Sequence, residues 1–215
     1  MNRRKFVSNA ALAGFGQIAR AQLPYLPPPP QTAQIAFPQV ALAAEIQQCP
    51  EWCWAASLSA VFRFFGKTVD QRTIVMRKYG QLVCAPSQTA AQIAAFLNTQ
   101  WIDEATGRPF MCRLTAAFDA MAGVGAINNG IIVNELASQR PVIYCNLSHC
   151  MVIVGVTYLP TIPFPSIQNA MVMDPWPLSP RLHPLSPPEM FPAQFGPLGY
   201  IGGGQMSFLG TVLVS

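Results

Sequence analysis

Apolar positions recur at helical spacing through the first half of the chain and gather into strand-like runs in the second. After Trp54, the residues Ala55, Leu58, Val61, Phe62 and Phe65 fall three to four apart until Gly66, which predicts a core helix over 54–65. Asp70 is placed to cap a shorter helix through Ile74, Val75 and Tyr79. A third helix is predicted through Ala90, Ile93, Ala94 and Leu97, after Pro86-Ser87. Leu114, Phe118 and Met121 predict a fourth. Asn129 is a cap for a fifth that carries Ile132, Leu136 and Ala137.

Beyond Pro141 the pattern turns to strand. Val142–Cys145 and Met151–Val156 are β-rich runs with the short polar stretch Asn146-Leu147-Ser148 between them, as in a hairpin. Ala170–Met173 predicts another strand, and Met206–Val214 a last one after Gly202-Gly203-Gly204. Eight prolines between 175 and 198 exclude a regular central element there. Helices first and then an antiparallel sheet is α+β organisation.

The N-terminus changes the charge balance. Arg3-Arg4-Lys5 leads into a mildly apolar run, Val7 to Ile18, and then Ala19-Arg20-Ala21, an A-x-A cleavage site. Residues 1–21 are therefore expected to be a Tat-type signal peptide, too short and too rich in Ala and Gly to span a membrane stably. The formal net charge of +4 is carried by Arg3, Arg4, Lys5 and Arg20, so the mature chain is formally neutral. The basicity is thus a targeting feature and gives no reason to expect nucleic acid as a partner. Residues 22–39, with Pro24, Pro27 to Pro30 and Pro38, read as a proline-rich linker. One domain of 40–215 follows. A bacterial protein, periplasmic or secreted, is the expectation. Charged residues make up 10% of the chain, against about 25% in ordinary domains. That low value fits a well-buried domain or one that leans on a partner surface.

Export brings the six cysteines (49, 53, 84, 112, 145 and 150) into an oxidising compartment. If one is a free nucleophile, an odd five remain, so two disulfides and one buried thiol are expected; the connectivity is open. No cysteine or histidine spacing matches a zinc site, and no metal or other cofactor is expected.

A thiol hydrolase needs a thiolate, a base, a group that orients the base, and donors for the oxyanion. Cys53 falls at the first turn of the 54–65 helix, where free backbone N–H groups and the helix dipole favour negative charge. The base has two candidates. His149 stands at the start of a strand, a rigid mount, whereas His183 lies in the proline-rich segment with no such mount. Asp174 ends the 170–173 strand, and Pro175 forces an extended exit; its carboxylate would orient the imidazole if the two strands are neighbours. Asn146 and Asn169 are weaker substitutes for it. Gln47, or alternatively Gln48, precedes the cysteine at a distance where a side-chain amide could join the Cys53 N–H at the oxyanion. Trp54 is expected in the core, and Trp52 in the core or as a wall of the substrate cleft.

The segment Gln47-Gln48-Cys49-Pro50-Glu51-Trp52-Cys53-Trp54-Ala55-Ala56 resembles the nucleophile segment of papain-like cysteine peptidases. Its W-C-W-A-A form is most similar to the compact bacterial branch with the AvrRpt2-like and C39-like peptidases. Ser148-His149-Cys150 with the strand after it resembles that group's histidine segment, and Val172-Met173-Asp174-Pro175 its aspartate segment. The resemblance spans roughly 40–176 and keeps the order Gln, Cys, His, Asp. It implies a papain-like fold in which a helical part bearing the nucleophile packs on a C-terminal antiparallel sheet. It also implies a Cys53–His149–Asp174 triad. Cys49 and Cys150 depart from the pattern; Cys49 is placed to brace the loop by a disulfide, with Cys84 as a candidate partner.

The activity implied is hydrolysis of peptide or isopeptide bonds through an acyl-enzyme, on a polypeptide or cell-wall peptide. Two alternatives keep the fold: a peptidoglycan amidase or transglutaminase-type acyltransferase with the same triad, and a non-catalytic binding module.

Overall fold

The computed structural model describes residues 28–87, 89–196, 199–201 and 205–215. The expected signal peptide and the first part of the linker lie outside these residues. The elements run β1 (Gln31–Gln34), α1 (Phe37–Ala43), α2 (Cys53–Phe64), α3 (Gln71–Tyr79), α4 (Ala90–Phe96), β2 (Thr99–Asp103), β3 (Arg108–Asp119) and β4 (Val124–Gly125). They continue with α5 (Asn129–Ala137), β5 (Val142–Asn146), β6 (Cys150–Leu159), β7 (Ser166–Met173), β8 (Leu182–Pro184), a 3₁₀ turn (Pro187–Met190), β9 (Gln194–Gly196), β10 (Gly199–Ile201) and β11 (Met206–Val214).

The predicted helices around Cys53, Asp70 and Ala90 are α2, α3 and α4. Asp70 caps α3 by accepting from the Arg72 N–H at 2.8 Å. Helix α5 also forms, but its cap is Asn128, which accepts from the Ile131 N–H at 3.0 Å. The fourth predicted helix does not form: Leu114 and Phe118 lie in the long strand β3. The same stretch carries a two-residue alternation, with Phe110 and Cys112 buried and Arg113 and Thr115 exposed. Pairing on both edges, with β2 and β11, decides in favour of the strand.

The sheet order is β2-β3-β11-β5-β6-β7-β8, antiparallel throughout, with β4 beside β3. The C-terminal strand β11 thus sits at the centre, between β3 and β5. Gly210 permits its packing there, since a Cβ at that position would stand 2.9 Å from Ile143 Cγ2.

Residues 31–43, expected as the end of a linker and the first residues of the domain, form β1 and α1 instead. Strand β1 pairs with β6 over Gln31–Gln34 and Gly155–Tyr158. Ala33 and Ile35 are buried while Thr32 and Gln34 are exposed, a period of two that the flanking prolines obscure. Strand β8 is likewise an element inside the proline-rich segment. It sits at the edge of the sheet, where a strand ending in proline costs no ladder bond on its open side.

The core lies between α2 and the sheet, where Trp54, Leu58, Phe62, Tyr144 and Phe208 are essentially without exposure. Phe62 packs edge-on to Phe110 and tilted against Trp101. Helix α2 therefore lies fixed on β5 and β6, and its N-terminus points to the hairpin that joins them.

Candidate active site

Cys53 is the first residue of α2, and no side chain caps that end; Trp52 is the N-cap residue. The first N–H groups of the helix are left to whatever group enters there. The loop before it is held rigidly. Cys49 and Cys84 form a disulfide. The Trp52 indole donates to Val83 O at 2.8 Å and the Trp54 indole to Ala85 O at 3.2 Å. Both tryptophans and the disulfide thus fasten three consecutive residues, 83–85. Trp52 is buried beneath that loop and does not line the cleft; Trp54 does.

Gln47 is buried, and its amide Nε2 donates to Pro50 O at 2.7 Å and Cys49 O at 3.0 Å. Both N–H groups are thereby used, and its Oε1 has no partner among the described residues. Gln48 is exposed and turned to α3, with its N–H on Gln71 Oε1 at 3.0 Å. The two glutamines therefore point into different surroundings, and only the Gln47 side chain folds back onto Cys49 and Pro50 in the loop before Cys53.

His149 closes the β5–β6 turn. Asn146 Oδ1 accepts from the backbone N–H of His149 at 2.7 Å and of Ser148 at 2.9 Å. The Asn146 N–H donates back to His149 O at 2.9 Å. Cys145 and Cys150, paired across the strands, form the second disulfide. Asn146 thus shapes the turn and does not touch the imidazole. Cys112 is the remaining buried thiol, which burial pushes up to about 12. Cys53 is the half-exposed free thiol among the described residues.

Strands β6 and β7 are neighbours, which brings Asp174 to His149: Nε2 and Oδ1 are 2.7 Å apart. The other ring nitrogen is left to the side of Cys53. Asp174 Oδ1 also accepts from the Trp176 N–H at 2.8 Å, and the Trp176 ring stands edge-on to the imidazole, 6.4 Å between centroids. Asn169 lies farther along β7, opposite Thr157, and is no part of this arrangement. His183, expected to lack a rigid mount, is held in β8 opposite Val172, and its Nε2 lies 3.1 Å from Asp174 Oδ2. Pairing with β7 supplies the rigidity that the proline-rich composition seemed to exclude. Trp176 carried no signal in the sequence, and His183 stood only as the base candidate without a mount, because both placements depend on how the chain turns after Asp174.

Electrostatics follow the contacts. Burial disfavours an imidazolium at His149, but the hydrogen bonds and charges of Asp174 and Cys53 outweigh it and raise the pKa to about 9. Burial opposes ionisation of Asp174 too, yet the His149 hydrogen bond, the Trp176 N–H and His183 lower its pKa to about 2. Cys53 and His149 open together onto a cleft of about 530 Å³, bordered also by Trp54, Pro86, Ala90 and Asp119. Among the described residues no group of three or more His, Cys, Asp or Glu could hold a metal ion.

No curated protein matches the chain. The model of the Peptidase_C39-like family does match, over residues 30–184, which takes in Gln47, Cys53, His149, Asp174 and His183 as well as β1. By that match over well more than half its length, the chain belongs to the Peptidase_C39-like family.

Proposed function

We propose that the protein is a cysteine peptidase in which Cys53 is the nucleophile, His149 its proton partner and Asp174 the group that orients His149. The observation that carries this reading is the 2.7 Å bond between His149 Nε2 and Asp174 Oδ1. It fixes the ring with its other nitrogen toward the cysteine at a helix N-terminus. The Cys53 sulfur attacks the substrate carbonyl carbon, a C–S bond forms, and the carbonyl π electrons move to oxygen. The free N–H groups at the start of α2 receive that charge. His149 then gives its proton to the leaving amine as the C–N bond breaks. In the second half, neutral His149 takes a proton from water, the hydroxide attacks the thioester, and the thiolate departs from the acid product.

Gln47 is the second oxyanion donor in this scheme. It serves once substrate draws one of its N–H groups away from Cys49 O or Pro50 O. The placement within the compact bacterial branch with AvrRpt2-like peptidases rests on the W-C-W-A-A segment. Export is supported by two disulfides, which an oxidising compartment maintains. No helix among the described residues is long and apolar enough to cross a membrane.

The test is mature protein incubated in parallel with casein, with purified peptidoglycan, and with a glutamine peptide plus an amine acceptor. Release of casein peptides, lost on iodoacetamide treatment and in Cys53→Ala, is expected. Turnover of peptidoglycan or amine incorporation without casein cleavage would transfer the same residues to an amidase or acyltransferase. No turnover of any substrate and no labelling of Cys53 would leave a binding module.

A further inference from the structure

Asp174 is buried at the end of β7, and both of its carboxylate oxygens are engaged. Oδ1 takes His149 Nε2 and the Trp176 N–H at 2.7 and 2.8 Å; Oδ2 takes His183 Nε2 at 3.1 Å. His183 Nδ1 in turn lies 3.0 Å from Pro184 O. Both partners of His183 are pure acceptors, so a neutral ring satisfies one of them and only a doubly protonated ring satisfies both. The ring is a quarter exposed. Asp174 is the charged group that meets it from β7. Arg181, two residues earlier on the chain, directs its guanidinium to Glu45 O at 2.5 Å.

A donor on Oδ2 does two things to a carboxylate that holds another ring through Oδ1. It fixes the plane of the carboxylate, so Oδ1 stays aligned with His149 Nε2. It also draws negative charge away from Oδ1, so His149 holds its proton less tightly than it would opposite an isolated carboxylate. Without that donor a buried carboxylate oxygen would lose its partner.

We infer that His183 is a positioning residue for the hydrolysis proposed above: through its contact with Oδ2 it moderates the grip of the Asp174 carboxylate on the His149 proton. This inference rests on the peptidase reading for its kinetic consequence and not for its electrostatic one. The strand mount explains how a residue between prolines can serve. Strand β8 needs only three residues to place the ring, because the Asp174 N–H is also bonded to Arg181 O at 3.0 Å.

The chain contains two histidines, so in untagged His183→Ala the remaining imidazole NMR signal is that of His149. Its titration midpoint is expected to rise by about half a pH unit as the carboxylate charge concentrates on Oδ1. Hydrolysis should show kcat down about fivefold with KM unchanged, and the alkaline limb moved upward with the midpoint. His183→Gln, whose amide can still donate to Oδ2, should restore both and covers the case in which the alanine variant folds poorly. An unmoved or lowered His149 midpoint would overturn the inference, since it would show that His183 only holds the carboxylate plane, whose loss loosens the Asp174 contact and lowers the midpoint. The two readings fail separately. An inactive wild-type protein without Cys53 labelling defeats the peptidase assignment, whereas the midpoint reports on His183 in a protein that hydrolyses nothing.

Discussion

The Gln47 backbone N–H donates to Pro175 O at 2.9 Å, so the loop that leads into Cys53 is joined directly to the residue after Asp174. Arg181 reaches Glu45 O from the same turn. The cysteine and the aspartate come from opposite ends of the fold, yet their loops share backbone contacts. The two loops therefore brace each other.

Cys53→Ala removes the proposed nucleophile and little packing, since the residue is only partly buried. Peptide hydrolysis should fall by about 10³-fold or more, while the thermal midpoint stays within a few degrees of wild type. Progress curves and a melting scan on the same preparation decide it. Retained turnover would sink the proposed mechanism.

Asp174→Asn keeps the shape and removes the charge that holds the His149 proton. The alkaline limb of kcat/KM, expected near the His149 value of about 9, should move down toward the ordinary histidine range. Stability should follow the sign of each shift. His149 is raised, so its contribution is complete below about pH 6.5 and disappears as pH rises through about 9. Asp174 is lowered, so its contribution is complete above about pH 4 and disappears as pH falls through about 2. Melting scans across pH should show both flanks in wild type and lose them in Asp174→Asn.

The two disulfides should separate stability from activity. Cys49–Cys84 closes the longer loop, with a sequence separation of 35, and its replacement by serines should cost about 3 kcal/mol in denaturant unfolding. Cys145–Cys150 spans only the turn that carries His149. Its double serine variant should cost less stability and more kcat, measured side by side. Equal kcat in wild type and that variant would show that Asn146 alone holds the turn.

Gln47→Ala tests the oxyanion role against a structural one. A donor in the transition state makes kcat fall about 10²-fold with KM nearly unchanged. A role limited to bracing Cys49 and Pro50 would instead lower the melting midpoint with a modest change in kcat. Gln48→Ala, on the exposed side, should alter neither.

Trp52→Phe and Trp54→Phe separate the two tryptophans. Each loses one indole bond to the 83–85 loop, worth about 1 kcal/mol in unfolding. KM should change only for Trp54→Phe, because Trp54 borders the cleft and Trp52 does not.

Elements whose cause is local were legible in the residue pattern. Helix α2 follows from its apolar spacing, and β5 and β6 from dense β-branched runs around a polar turn. Cys53, His149 and Asp174 stood out because the chain offers few alternatives, and each sits at an element end where local rules place it. Whatever depends on a partner distant in sequence emerged only in the folded chain. Residues 108–119 satisfy both periods, and only neighbours on two edges make them a strand. The β1 strand hides among prolines until β6 provides its ladder. Trp52 and Trp54 both bond to residues 83–85, and only the folded chain shows that Trp54, expected in the core, also borders the cleft. His183 shows the difference most plainly. Its proline-rich context implies no rigid mount, yet backbone pairing with β7 holds its ring on the carboxylate that faces His149. Hydrogen bonds between strands supply a rigidity that local composition cannot encode.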